Sequence, residues 1–362
     1  MKIGLFGFPL TGKTTLFNTL TGAHAAVAGF GHGKPETHLG VAHVPDERLD
    51  RLAALLKVKK AVHATVEYVD QAGVEKGEGQ KSEAFLVDLK LADGLAHVVR
   101  AFEDANVPHS EGSIDPRRDV ETMEIELILA DHTVATRRAE RLELSLRKAP
   151  RDEDRKELDL IHRCVEALER ETPLRAVHFS EEEARRLRGF TFLTAKPLLV
   201  VLNVGEGDAA TLDSAPARAG LEDLARKPGI AVCAASAKIE SEIAQLDPAD
   251  ARAFMDEMGL RQPALERIIH SSYDLLGLLS FFTFNEQECR AWAIHTGTSA
   301  HHAAGTVHTD IERGFIRAEV VNWKDLLDEG SMAHAREHGR LKLEGKDYVV
   351  QDGDVIHFRF NV

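Results

Sequence analysis

The chain has 362 residues, 43% of them hydrophobic, and a formal charge of 45 − 59 = −14 near neutral pH. That length exceeds one ordinary core and predicts two or three domains. The acidic balance repels polyanions at long range, so an RNA partner requires a local basic patch and no DNA partner is expected.

The first five-residue run after Met1, Lys2-Ile3-Gly4-Leu5-Phe6, predicts a short apolar strand, and an N-terminus that enters a strand at once leaves no room for a signal peptide. The next segment reads Gly7-Phe8-Pro9-Leu10-Thr11-Gly12-Lys13-Thr14-Thr15 and carries the G-x-x-x-x-G-K-[ST] spacing. Glycines let backbone N–H groups turn inward around phosphate oxygens. Lys13 is the point charge for β- and γ-phosphates, and the Thr14 hydroxyl is a ligand for Mg²⁺. Residues 14–20, with Leu16 and Leu20 on one face and Gly22 at the end, predict a helix whose N-terminus points at those phosphates.

Residues 66–69 predict a strand that delivers Asp70-Gln71-Ala72-Gly73. After a phosphate loop, a carboxylate there can hold Mg²⁺ through water, and the Gly73 N–H can reach the γ-phosphate. The next residue, Val74, has neither donor nor acceptor to orient an attacking water. Residues 95–99 predict another strand. The Gly- and Ser-containing segment 107–113 after it offers His109, whose imidazole can accept from or orient a water near neutral pH; a solvated loop histidine is the alternative.

Residues 118–172 change character and are rich in Leu, Glu and Arg. Ile125, Ile128, Ala135, Ala139, Leu142 and Leu146 mark one helical stripe; Leu158, Ile161, Val165 and Leu168 mark another; Pro150 separates them. An antiparallel helical hairpin is predicted, with Arg147, Lys148, Arg151, Arg155 and Lys156 at its tip as either a partner patch or a solvated face. Continuous apolar runs at 198–202 and 230–233 predict strands buried on both faces, as in a parallel sheet. They deliver Asn203-Val204-Gly205-Glu206 and Ser236-Ala237-Lys238.

Guanine-specific loops read Asn-Lys-x-Asp, whose aspartate accepts from guanine N1–H and the 2-amino group. Here Val204 and Glu206 replace the lysine and the aspartate, which weakens a guanine clamp and leaves an adenine 6-amino group to Asn203 or to backbone carbonyls. Runs at 290–294, 316–320 and 355–360 alternate like strands, so the last part of the chain predicts a small mixed β domain with a helix or two. Cys164, Cys233 and Cys289 lack metal-ligand spacing and predict buried thiols in a reduced, cytoplasmic protein. The longest apolar run, around residues 197–201, is far short of a membrane span, so no membrane partner is expected. A monomer is expected.

These segments resemble the YchF branch of the Obg-like ATPases over nearly the whole chain. The resemblance is carried by the phosphate loop, Val44-Pro45-Asp46-Glu47-Arg48-Leu49, Lys76-Gly77-Glu78-Gly79, His97-Val98-Val99-Arg100, Asn203-Val204-Gly205-Glu206 and Ser236-Ala237-Lys238-Ile239-Glu240. Its C-terminal part rests on Gly305-Thr306-Val307-His308-Thr309-Asp310, Gly314-Phe315-Ile316-Arg317-Ala318-Glu319, Leu343-Glu344-Gly345-Lys346-Asp347-Tyr348 and the final Gln351-Asp352-Gly353-Asp354 block. It implies an α/β P-loop NTPase G domain (1–116 and 191–277), an inserted antiparallel helical coiled coil (117–190) and a C-terminal β-grasp TGS domain (278–362). It also implies Mg²⁺-dependent hydrolysis of ATP in preference to GTP, and a link to the ribosome or stress control.

The residues it implies for nucleotide binding are Phe8, Pro9, Leu10, Thr11, Gly12, Lys13, Thr14, Thr15, Gly73, Asn203, Val204, Glu206, Ser236 and Ala237. Thr14, Asp70 and Thr37 are candidate metal ligands; Lys13 and His109 are candidates for catalysis. His109 precedes Ile114-Asp115-Pro116 at the spacing of the family's catalytic histidine. Leu10 stands where the family usually has an asparagine, which puts potassium activation in doubt. The expected position of the first-switch threonine falls on Lys34, which makes Thr37 a substitute. A nucleotide-sensing ribosome adaptor with little turnover, or a GTPase, are the alternatives.

Overall fold

The computed structural model describes residues 1–23, 25, 37–71, 83–260 and 262–361. In chain order the strands among them are β1 (Lys2–Phe6), β2 (His38–His43), β3 (Lys60–Val62), β4 (Thr65–Asp70), β5 (Gly94–Ala101), β6 (Leu198–Val204), β7 (Ile230–Ala235), β8 (Leu278–Phe284), β9 (Glu288–His295), β10 (Phe315–Asn322), β11 (Lys342–Glu344) and β12 (Asp354–Phe360). The chain divides into two compact units: Met1–Ala42 with Glu67–Leu275, and His43–Val66 with Leu276–Val362.

The first unit is built on a sheet of order β2-β4-β1-β5-β6-β7. β1 pairs parallel with β4 and β5, β5 with β6, and β6 with β7. Every residue of β6 is buried, and so is nearly all of β5, which is why these segments are continuously apolar. Parallel pairing has a further consequence. The C-terminal ends of β1, β4, β5, β6 and β7 all lie along one edge, and each carries one of the segments singled out above.

The inserted hairpin consists of the helices Pro116–Lys148 and Asp152–Glu169. Asp115 caps the first by accepting from Arg118 N, and Pro116 sits where a missing N–H costs nothing. Ile128, Ala135, Ala139, Leu142, Leu160, Ile161, Cys164 and Leu168 form its seam. Ile125, placed on that seam by spacing, is instead 42% exposed. The long helix contacts both β5 and the second helix of the hairpin. Its buried stripe therefore begins on Val120, Met123 and Leu127 and rotates away from Ile125. Asp131, also buried, accepts from Leu193 N, Thr194 N and Thr194 Oγ1 at 2.7–2.9 Å, which fastens the return of the insertion. Desolvation raises its pKa despite those donors.

The second unit is a mixed sheet of order β11-β10-β12-β8-β9-β3. β8 and β9 form an antiparallel hairpin, β8 runs parallel to β12, and β10 is antiparallel to both β12 and β11. Phe281, Ala300, Ala303, Ala304, Ala318, Ile356 and Phe358 form its core, with the helix Ala300–Val307 laid on the sheet in the β-grasp manner. Three further helices (Thr309–Arg313, Trp323–Glu329, Met332–Glu337) exceed the one or two expected. The early segment 43–66 adds β3, parallel to β9, and a helix whose Arg48 bonds Asp46 and Asp352 and lies 5.4 Å from the Phe282 ring.

The three cysteines are free and buried, and burial pushes their thiols up to about 11 for Cys164 and about 12 for Cys233 and Cys289. Among the described residues, no helix is long and apolar enough to cross a membrane.

Candidate nucleotide site

β1 ends at Phe6 and the chain turns at Gly7, where a Cβ would fall 2.4 Å from Val98 O. Phe8 is 2% exposed, and Thr11 Oγ1 donates to Phe8 O at 3.1 Å. Leu10 adopts φ 62°, a left-handed conformation that costs a non-glycine residue about 1 kcal/mol and concentrates at functional turns. Gly12 adopts φ 86°, and a Cβ there would meet Asn203 Nδ2 at 2.2 Å. The helix Lys13–Thr21 starts here without a side-chain cap. Its first N–H groups are therefore left for a ligand, with the positive end of the helix dipole behind them.

Asp70, at the end of β4, accepts from Lys13 Nζ at 2.6 Å and from Thr14 Oγ1 at 2.8 Å. Side chains 57 and 56 positions apart in sequence thus meet in a buried cluster. His38 Nδ1 stands 3.9 Å from the same carboxylate. Thr14 Oγ1 and the Asp70 carboxylate are hard oxygen donors side by side, a set that fits Mg²⁺ with water and phosphate completing the shell. Thr37 is placed differently: its hydroxyl donates to Asp88 Oδ2 at 2.9 Å, and Gln71 Nε2 bonds the same oxygen. Gly73 and Val74 lie outside the described residues, as does Lys34.

The segment after β6 is joined to this cluster by Asn203. Its Nδ2 donates to Thr11 O at 2.8 Å, and its Oδ1 accepts from Ala237 N at 2.9 Å. Asn203 therefore ties the phosphate loop to the Ser236-Ala237 turn. Val204 is 5% exposed and packs inward. Glu206 forms an ion pair with Lys238, whose pKa it raises. Ser236 is buried, and its Oγ has no partner among the described residues, a polar group available to a ligand. Pro9 and Thr15 are half-buried beside the loop.

β5 delivers the loop that bears His109. Arg100, 2% exposed, donates to Phe102 O, Pro108 O and Asp104 O at 3.1–3.4 Å and lies 4.5 Å from the Phe102 ring. It anchors the loop through three backbone carbonyls and the Phe102 ring. His109 Nδ1 accepts from Glu111 N at 3.1 Å, which leaves the ring proton on Nε2. That nitrogen lies 2.9 Å from Asp119 Oδ2, off the line of a hydrogen bond. Arg118 holds the other Asp119 oxygen at 2.7 Å and the Ser113 carbonyl at 2.6 Å. The structure thus brings His109 to Asp119, and not to Lys13 or Asp70. Arg100 could be found in the His97-Val98-Val99-Arg100 motif; Asp119 carried no local signal.

A phosphate loop between β1 and an uncapped helix, a buried Lys13–Asp70–Thr14 cluster and a base-side Asn203 on the next strand but one define a P-loop NTPase with a G-type domain. Residues 2–135 match the family described as 50S ribosome-binding GTPase. Residues 278–361 match YchF-GTPase_C, described as a protein of unknown function. The Ribosome-binding ATPase YchF of Bacillus subtilis is 42% identical over 366 aligned residues, covering 100% of both chains. That of Escherichia coli O157:H7 is 39% identical, covering 100% of this chain and 99% of the relative. The YchF GTPase structure of Schizosaccharomyces pombe superposes with a TM-score of 0.85 at 29% identity, covering 99% of this chain and 97% of that one. The chain belongs to the YchF family.

Proposed function

We propose that this chain is a cytoplasmic, Mg²⁺-dependent hydrolase that prefers ATP to GTP and acts as a switch at the ribosome. The observation that carries the hydrolase reading is the buried cluster in which Asp70 holds both Lys13 and Thr14. Bound Mg²⁺ would be held through Thr14 and Asp70 and would neutralise charge building on the β- and γ-phosphate oxygens. Lys13 exchanges its bond to Asp70 for those oxygens, and the uncapped N–H groups of residues 13–15 close around them. His109 leaves Asp119, and the Nδ1 lone pair now engaged by Glu111 N–H becomes the acceptor that orients the attacking water.

The ATP preference rests on the base side. Guanine readout needs a carboxylate at the aspartate's reach, and Glu206 is one methylene longer with one of its oxygens paired with Lys238. The ribosome as partner is supported by relatives named ribosome-binding ATPase and by the exposed basic tip of the hairpin, where Glu153 is already engaged by Arg186. Calorimetry of ATP and GTP in the presence of Mg²⁺ tests the preference; tighter GTP binding refutes it. A second reading, a nucleotide-sensing adaptor with little turnover, is favoured by the engagement of His109 with Asp119 and of Thr37 with Asp88. Mg-ATP turnover with and without ribosomes separates the two.

A further inference from the structure

We propose that the C-terminal unit carries a site for a borderline transition-metal ion such as Zn²⁺, formed by His301, His302 and Glu312. His302 Nδ1 lies 3.1 Å from Glu312 Oε1, and His301 Nδ1 lies 3.8 Å from the same oxygen. One ligand atom from each of the three residues falls within 4.8 Å of the others. Tetrahedral coordination at a Zn–N distance of about 2.0–2.1 Å separates ligand atoms by roughly 3.3 Å, so small side-chain rotations bring this set onto one ion. Two imidazole nitrogens and one carboxylate select Zn²⁺, Co²⁺ or Ni²⁺ over Mg²⁺ or Ca²⁺, which take oxygen donors. Remaining positions are open to water, as the 30%, 72% and 33% side-chain exposures of His301, His302 and Glu312 allow.

The surroundings hold these groups in place. The His301 ring meets the edges of His302 and Phe315 at centroid distances of 5.4 and 5.8 Å. Gly305 lets the carboxylate lie against the helix: a Cβ there would come 2.6 Å from Glu312 Oε2 and 2.7 Å from its Cδ. A surface ion pair needs only one histidine per carboxylate, whereas here two Nδ1 atoms converge on one oxygen. The other histidine pair of this unit supplies the contrast. His338 Nδ1 contacts Glu329 Oε2, but His334 Nδ1 is directed at the Glu329 carbonyl oxygen, 3.1 Å away, so those donors do not converge. An ion at His301, His302 and Glu312 would clamp the helix Ala300–Val307 to the helix Thr309–Arg313. Its binding would weaken on acidification, because the imidazoles must be neutral to ligate.

The test uses the full chain without nucleotide, in excess Mg²⁺ so that the Thr14–Asp70 oxygens are not read. Co²⁺ is followed by its visible absorption, and Zn²⁺ by calorimetry and by the rise in melting temperature. One ion per chain is expected, with affinity falling in Glu312→Gln and in His302→Gln by at least the ~10–100-fold that loss of even an outer-shell partner costs. A His334→Gln/His338→Gln variant should bind as the parent does. Absence of binding, undiminished binding in Glu312→Gln, or loss confined to the His334/His338 variant overturns the proposal. If Glu312→Gln lowers the metal-free melting temperature, the exposed His302→Gln variant decides the matter.

Discussion

The sharpest test of the phosphate site is a double-mutant cycle on Lys13 and Asp70. Their side chains are 7% and 4% exposed and 2.6 Å apart. Asp70→Asn keeps an acceptor for the Thr14 hydroxyl but leaves the Lys13 ammonium buried without an anion. Breaking a buried pair from one side costs about 3–5 kcal/mol, because the remaining charge stays desolvated. With the one amide oxygen kept for Thr14, the NH2 faces Lys13 where Oδ1 accepted, so the lower end of that range is the minimum expected. A loss of about 3 kcal/mol lowers the melting temperature by roughly 6–12 °C in a unit of this size. Lys13→Met alone leaves a buried carboxylate and should cost a similar amount. The double variant removes both charges and should recover most of the loss, so the coupling energy is about 5 kcal/mol, close to the sum of the two single losses. Thermal melting in the absence of nucleotide, with urea unfolding as a second measure, reads all four corners. If Asp70→Asn melts within about 2 °C of the parent, the ammonium is hydrated and the cluster is not the desolvated device described above.

Other outcomes follow from the same geometry. His109→Ala should keep ATP affinity close to that of the parent while hydrolysis falls by about 10²-fold or more; turnover at the parent rate would make His109 a bystander and His38, 3.9 Å from Asp70, the next residue to test. Combining Val204→Lys with Glu206→Asp should move the ATP-to-GTP affinity ratio toward GTP by about tenfold, or ~1.4 kcal/mol by calorimetry; an unchanged ratio would place base selection elsewhere. Reversing Arg147, Lys148 and Arg151 to glutamate should lower ribosome co-sedimentation and flatten its salt dependence, whereas unchanged pelleting would identify the tip as a solvated face. Leu10 has no side-chain oxygen for a monovalent cation, so turnover in potassium and in sodium should match.

Local spacing was enough to identify the phosphate loop and the order of the strand-end segments. A phosphate cradle is made largely of backbone, and the glycines and lysine that permit it lie within a few residues of one another. The fully buried β5 and β6 were legible for the same kind of reason, since a strand covered on both faces must be apolar throughout. Family likeness extended this to the fold, a G domain with a helical insertion and a C-terminal β domain, but not to how side chains meet. Only the tertiary structure decided that Asp70 receives both Lys13 and Thr14, that Asn203 stitches Thr11 to Ala237, and that Glu206 is paired with Lys238. It likewise placed Ile125 in solvent and His109 beside Asp119. The Asp70, Asn203 and Glu206 contacts are partnerships between segments far apart in sequence. Their energies depend on which strand ends the parallel sheet sets along one edge, and no local pattern records that neighbourhood.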